Sequence, residues 1–496
     1  MKAIKYLFMS ALLMGFSTAA KAQDGTAADI AAVKQLIQSH PADMAKAMKP
    51  FYSKNKKNPE NLLAFGRAFF EAQDTANARI AANNALTASK RQFAPAYVLL
   101  GDICAMGDDG GGAAQNYEMA IHFDPKSPEA YRKYASVYRK IDPDGAVAKL
   151  EELRQQRPDY PVDAIIGHIN YLSLRYGSAI EAYERVPLAQ MQKMDFIEYS
   201  FSNYFAKRYE KALEVAEAGL QKESGNATLT RLAMFCSTET GKYQEAIRYA
   251  DIMFNQLNKD SVNLSEMDYL NYGKALAGNN QFEEAIQRYE EGMRLAANDQ
   301  NAQAELYRAI SDSYKGLENY PKAIETFREY LRIGKDVKAN DYANLGNLAM
   351  RYARSLAVDE SNTTLTDEEK ATQKQTQIDA YKTADQIYAD LIEKFPDAEE
   401  YGLLQRGNVN SLIDTDMSQG LAKPYFEKLI ELLTARTDRD DTDNRRLETC
   451  YRYMMSYNYQ VVKDNAAALQ FAQKILEIKP DDEGIKQVVE TLSKRR

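Results

Sequence analysis

Residues 97–125 read YVLLGDICAMGDDGGGAAQNYEMAIHFDP. Tyr97, Leu100, Gly101 and Cys104 are apolar or small, and spacings of three and four residues put them on one helix face. Ala113, Tyr117 and Ala120 share a face in the same way. Gly107 to Gly112 break the chain between the two stretches, and Pro125 stops the second. The stretch therefore reads as a helical hairpin with one apolar face per helix. Gly101 and Ala113 are small where the helices should cross, so the backbones can approach closely. One hairpin cannot bury both faces alone; it needs a neighbour of the same kind.

Such neighbours recur along the chain. The crossing alanine returns as Ala78, Ala113, Ala146, Ala179, Ala212, Ala246, Ala285, Ala323, Ala384, Ala422 and Ala468. The first six are 33 to 35 residues apart, and later gaps widen to 39, 38, 61, 38 and 46. With its large apolar residue, Leu-Gly, Tyr, Ala, Phe/Tyr, Ala and Pro, the pattern resembles the tetratricopeptide repeat. The resemblance implies an all-α fold: a right-handed α-α superhelix of about eleven helical hairpins plus terminal helices. It also implies a concave groove, lined by the first helices, that receives peptides or partner proteins. The role of such a solenoid lies in its surfaces, not in its fold.

The organisation follows from this pattern. Residues 1–22 form a signal peptide: Lys2 and Lys5, an apolar core from Leu7 to Phe16, and the small-x-small site Ala20-Lys21-Ala22. Gln23 begins the mature chain. No cysteine follows the cleavage site, which argues against a lipid anchor there, and no later apolar run is long enough to span a membrane. Capping helices occupy 23–57. The repeat array covers 58–357, a polar insertion 358–380, the rest of the array 381–480, and a closing helix 481–496. The insertion is arithmetic: Gly346 to Ala384 is 38 residues where the pattern allows 12, so 26 are extra. Thr366 and Glu369 make a capping-box pair, which predicts that the ninth hairpin's second helix starts near Asp367. It would then project roughly 20 Å beyond its neighbours.

Composition narrows the function. Removal of 1–22 takes away three lysines and no acids, so net charge moves from −8 to −11. That argues against nucleic acid as a partner. Cys104, Cys236 and Cys450 fall in the second, sixth and eleventh hairpins, too far apart in a neighbour-only stack to form disulfides. They read as small buried side chains. The three histidines His40, His122 and His168 have no metal-ligand spacing around them. The Asp438–Asp443 run lacks the glycine and distal glutamate of an EF-hand. Gly107–Gly112 follows no strand and precedes no Gly-Lys-Ser/Thr, and no nucleophile motif is present. The expectation is a protein without catalytic, cofactor or metal residues.

One surface stands out. Residues flanking the packing stripe of each first helix should face the groove. In the fourth to sixth hairpins these are His168, Tyr171, Phe201, Tyr204, Phe205 and Phe235. The run 196–205, FIEYSFSNYF, carries five aromatics, more than one stripe can hide. Arg132, Arg139 and Lys140 join them from the third hairpin, and aromatic and arginine side chains are the usual anchors of interfaces. A terminal-carboxylate clamp of the family's kind needs lysines that are absent beside Asn347 and Asn408, so that role is not carried over. The chain reads as an exported scaffold of the Gram-negative periplasm or envelope that binds protein or peptide partners. The alternative is a structural subunit of an envelope assembly serving secretion, polysaccharide export or nutrient uptake.

Overall fold

The computed structural model describes residues 24–257, 263–358 and 364–494. The leader 1–22 and residues 359–363 of the polar loop lie outside the described residues. Among the described residues all regular structure is helical, and it divides into two compact units, up to Ala233 and from Met234 onward.

The first unit opens with α1 (Asp24–Gln38) and α2 (Met44–Asn55). Five hairpins follow. The first pairs α3 (Pro59–Glu71) with α4 (Thr75–Ala88), and the second α5 (Ala94–Met106) with α6 (Gly110–Phe123). The third pairs α7 (Pro128–Tyr138) with α8 (Pro143–Gln156), and the fourth α9 (Val162–Leu172) with α10 (Tyr176–Tyr183). The fifth pairs α11 (Lys193–Phe205) with α12 (Tyr209–Lys222), and α13 (Ala227–Glu239) runs across the division.

The second unit continues with α14 (Tyr243–Asp251), whose end widens into a π-turn, Ile252–Gln256. Five more hairpins follow. They are α15 (Glu266–Gly278) with α16 (Phe282–Leu295), and α17 (Gln300–Gly316) with α18 (Tyr320–Ile333). Then come α19 (Ala339–Ser355) with α20 (Asp367–Lys394), and α21 (Glu399–Ile413) with α22 (Lys423–Thr434). The last hairpin joins α23 (Asp441–Tyr457) to α24 (Asn465–Ile478), and α25 (Glu483–Ser493) closes the unit. The chain is an all-α solenoid of helical hairpins.

The local signals explain the hairpins. All eleven crossing alanines are fully buried, at 0% exposure. In nine hairpins the residue five before the alanine has positive φ: Gln73, Asp108, Leu174, Lys207, Gly241, Asn280, Glu318, Met417 and Lys463. One left-handed residue reverses the chain into the second helix. The third hairpin, one residue short, and the ninth, with its insertion, are the exceptions. One position later, Asp74, Asp109, Asp142, Asn319 and Asp464 accept a backbone N–H of the new helix, satisfying one of its free donors.

Small residues admit large ones where helices cross. A Cβ on Gly101, Gly167, Gly273, Gly346 or Gly407 would stand 2.4, 2.8, 2.3, 2.4 or 2.4 Å from the ring of Tyr117, Tyr183, Tyr289, Tyr388 or Phe426. These rings are buried and fill the space the glycines leave. The ninth hairpin keeps this contact despite its insertion. Its α20 starts at Asp367, with Thr366 and Glu369 forming the capping box. The first half of α20 is mostly exposed. Two amides fasten it: Gln377 Nε2 donates to the Ala353 carbonyl at 3.0 Å and Gln373 Nε2 to the Leu356 carbonyl at 3.3 Å. Both carbonyls lie at the end of α19, beyond the reach of the helix's own i→i+4 bonds, and the Ala353 carbonyl also accepts the Leu356 N–H at 3.3 Å.

Cys104, Cys236 and Cys450 are buried free thiols. Burial pushes the Cys236 and Cys450 thiols up to about 12.

Candidate protein-binding site

Hairpins four and five of the first unit are locked by a buried carboxylate. Glu198 of α11 is 2% exposed. The Tyr183 hydroxyl donates to it at 2.7 Å, and His168 Nδ1 lies 2.8 and 2.9 Å from its two oxygens. Desolvation raises the nearby Asp195 carboxyl, with Glu198 adding to the effect. Burial, then the Glu198 charge, pushes Tyr171 up to about 12. Hairpins two and three carry the related joint, in which Tyr117 and Lys133 both bond Asp102. Such satisfied polar joints fix how one hairpin sits on the next. His168 is thereby a positioning residue of the stack.

The rings of 196–205 divide between core and surface. Phe196 and Tyr199 are buried, Phe201 and Tyr204 half-buried, and Phe205 is 50% exposed. Phe201 stacks on Phe205 at 5.8 Å, and Tyr176 of α10 stacks on the same ring at 4.8 Å. Tyr171 reaches Tyr176 at 6.2 Å, while Tyr204 touches both Phe205 and Tyr209. Phe205 thus stands at the centre of a ring cluster on the turn edge of hairpins four and five.

Repeat register explains why this edge is apolar. Phe205 lies five residues after the small crossing residue Ser200 of its first helix. In hairpins seven and eight of the second unit that position is Gly278 and Gly316, where a Cβ would meet the ring of Tyr243 or Phe282 at 2.5 Å. There the preceding hairpin's ring slides into the gap. In hairpins two to five of the first unit the position holds Met106, Lys140, Leu172 and Phe205, all of them exposed. Successive first helices pack side by side, so these residues form a rail. Two turn residues extend it: Ile141, 80% exposed, and Leu174, 72% exposed with φ +59°. Ser173 Oγ donates to the Arg139 carbonyl at 3.3 Å, tying those two turns together.

The structure redistributes the residues expected from sequence. Arg132 and Lys140 are exposed. Arg139 is corrected: it is buried, 7% exposed, because it caps the end of α7 and its guanidinium turns back to the Ser136 carbonyl. Burial lowers its pKa. Phe235 is half-buried on α13, in the second unit. Sequence reading missed Met106, Ile141, Leu172, Leu174 and Tyr176. For Met106 and Leu172 the signal was available, as the same register position in four consecutive hairpins.

The fold and this edge define a helical-hairpin repeat protein with an exposed apolar rail. No family model matches the chain. No curated protein matches it. Among solved structures, it is similar to the C-terminal part of a TPR repeat-containing protein from Cytophaga hutchinsonii. Identity there is 22%, with 59% of this chain and 99% of that chain covered and a TM-score of 0.44. PilF of Pseudomonas aeruginosa matches at 16% identity over 46% of this chain and 96% of its own, TM-score 0.34. PilW, described as a widely conserved type IV pilus biogenesis factor, matches at 18% identity over 41% and 96%, TM-score 0.34. The fold assignment rests on the helices described above. No described helix is long and apolar enough to cross a membrane.

Proposed function

We propose that this protein is an exported scaffold, acting in the periplasm or envelope, that binds a protein partner along the turn edge of hairpins two to five. One observation carries the reading: Leu174 is 72% exposed and held at φ +59°. A leucine there loses on both counts, since left-handed backbone costs roughly 1–2 kcal/mol and exposure forgoes burial. Eight other hairpins use a left-handed residue at this turn position, and there it is Gln, Asp, Lys, Gly, Asn, Glu or Met; what sets this turn apart is an exposed leucine. Ile141, Leu172 and Phe205 give the leucine an apolar context, and Lys140 and Lys207 are exposed beside them. The rail suits a partner with apolar side chains flanked by carboxylates. Arg132, Tyr171, Phe201 and Tyr204 stand around it as supporting contacts. Export is supported by the charged start, apolar core and Ala-Lys-Ala site of residues 1–22.

The test places a photo-crosslinking amino acid at Lys207 in the native cell and identifies the adducts. Leu174→Asn and Phe205→Ser should each reduce the adduct at least tenfold, with neither variant unfolding below the parent's temperature. An adduct indifferent to both substitutions would send the partner elsewhere on the surface. Amino-terminal sequencing should begin at Gln23; a chain retaining Met1 would overturn export.

A further inference from the structure

The gap between Ala246 and Ala285 is 39 residues, longer than the spacing that precedes it. The structure shows what part of the extra length does. Instead of ending cleanly, α14 widens into the π-turn Ile252–Gln256, closed by the Leu257 N–H donating to the Ile252 carbonyl at 3.0 Å. π-turns of this sort are frequent at functional sites. The widened turn carries Phe254 over the start of α15, where its ring meets Tyr269 at 4.9 Å and Tyr272 at 5.2 Å. A cleft of about 640 Å³ opens between the π-turn, α15 and the second half of α16. That volume is in the range of pockets that hold a ligand or a peptide side chain.

The walls are of two kinds. Phe254, Tyr269, Tyr272 and Leu295 are apolar, and Leu295 is 52% exposed with no core to enter. Arg288 and Arg294 are basic. Arg288 sits 5.3 Å over the Tyr272 ring and donates to Glu291 at 2.8 Å, so its plane is fixed and its charge partly answered. Arg294, exposed at the rim, has no ion pair among the described residues. On a chain of net charge −8, two guanidiniums around an apolar floor, countered in the lining by Glu291 alone, mark a local preference for an anion. A guanidinium held on a ring face presents its donors to a carboxylate in a fixed plane.

We propose that this cleft is a second partner site, which takes a peptide segment carrying a large apolar side chain within a few residues of a carboxylate. The apolar side chain occupies the floor between Phe254, Tyr269 and Leu295, and the carboxylate meets Arg294. The site shares no residue with the rail of hairpins two to five, and it stands or falls independently of that reading.

The experiment probes the purified full chain on an array of nine-residue peptides of random composition. Enriched peptides should pair Leu, Ile, Met or Phe with Asp, Glu or a free carboxyl terminus within three residues. Arg294→Glu and Leu295→Ser change exposed side chains and should leave unfolding unchanged. Each should weaken the enriched peptides at least tenfold, whereas Phe205→Ser on the rail should not. Three outcomes overturn the proposal: no enrichment, enrichment without the apolar–acidic pairing, or enriched peptides that bind the Arg294→Glu and Leu295→Ser variants as well as the parent.

Discussion

A Cβ added to Gly346 would stand 2.4 Å from the ring of Tyr388. The two residues lie on either side of the inserted stretch, yet they meet as Gly101 meets Tyr117 and Gly273 meets Tyr289. The ring cannot retreat. Tyr388 is fully buried, and its hydroxyl donates to Asn347 Oδ1 at 2.9 Å. Gly346→Ala should therefore destabilise the protein by about 1–3 kcal/mol, the usual cost of overpacking. Gly177 in α10 has nothing within 4 Å of the same added atom. Gly177→Ala should be neutral or gain up to about 1 kcal/mol through helix propensity. Urea unfolding of the two variants checks the contrast; equal effects would mean the ring does not set the crossing distance.

Leu174 separates stability from binding. Asparagine tolerates positive φ better than leucine, and little burial is lost at 72% exposure. Leu174→Asn should stabilise the protein by about 0.5–1 kcal/mol in urea unfolding. A stabilised variant that fails to capture the partner identifies a residue kept for contact. Marked destabilisation would instead make Leu174 part of the packing.

Asp163 accepts both Nη groups of Arg154, at 2.8 and 2.9 Å, and also bonds Arg185. The Arg154 guanidinium, followed by that of Arg185, holds the Asp163 carboxyl below its usual 3.8. A depressed folded pKa means stability that is present above the unfolded value and lost as pH falls through the folded one. Asp163→Asn should thus cost about 1–2 kcal/mol near neutral pH. The difference from the parent should shrink once pH drops below 3.8. A difference that stays constant across that window would show that the loss comes from packing rather than charge.

Much of the fold was legible because each repeat carries the same small set of steric requirements. Ala78 to Ala468 mark where two helices cross, and nothing larger fits there. Thr366 and Glu369 located the start of α20 because a capping box is a local signal that needs no tertiary context. The site was harder. Arg139 looked like a groove anchor by register, but the end of α7 puts it at a carbonyl-rich helix terminus that draws its guanidinium inward. Leu174 and Ile141 sit in turns, where the helical period says nothing about which way a side chain points. Tyr176 was overlooked because it begins a second helix, and its ring reaches the edge only because Phe205 fills the gap a glycine would leave. The π-turn at Ile252 has no sequence signature beyond extra length.

Burial governs the thiols. Cys236 and Cys450 are fully buried, with their thiols pushed up to about 12, so at neutral pH the reactive thiolate is scarce. Native protein should take up iodoacetamide slowly at these two positions. After unfolding without reductant, mass analysis should find three adducts, at Cys104, Cys236 and Cys450. Fewer than three would reveal a disulfide and overturn the assignment of all three as free thiols.

The first half of α20 has little packing behind it. Its exposed residues from Asp367 are buried only from Ala380 onward. Between those points the helix is held by the Thr366 cap and by the amides of Gln373 and Gln377 on the carbonyls ending α19. A cap contributes about 1 kcal/mol and a neutral hydrogen bond about as much. Helix formation without tertiary contacts is marginal at this length. Thr366→Ala combined with Gln377→Ala should therefore fray the segment from Asp367 to Gln377 while the Gly346–Tyr388 contact persists. Hydrogen exchange is the measurement: amides before Ile378 should lose protection at least tenfold, those after Ala384 should not, and the global urea midpoint should barely move. If protection falls equally through Leu391, the exposed half and the packed half unfold as one unit, and the insertion is an integral part of the ninth hairpin rather than an addition to it.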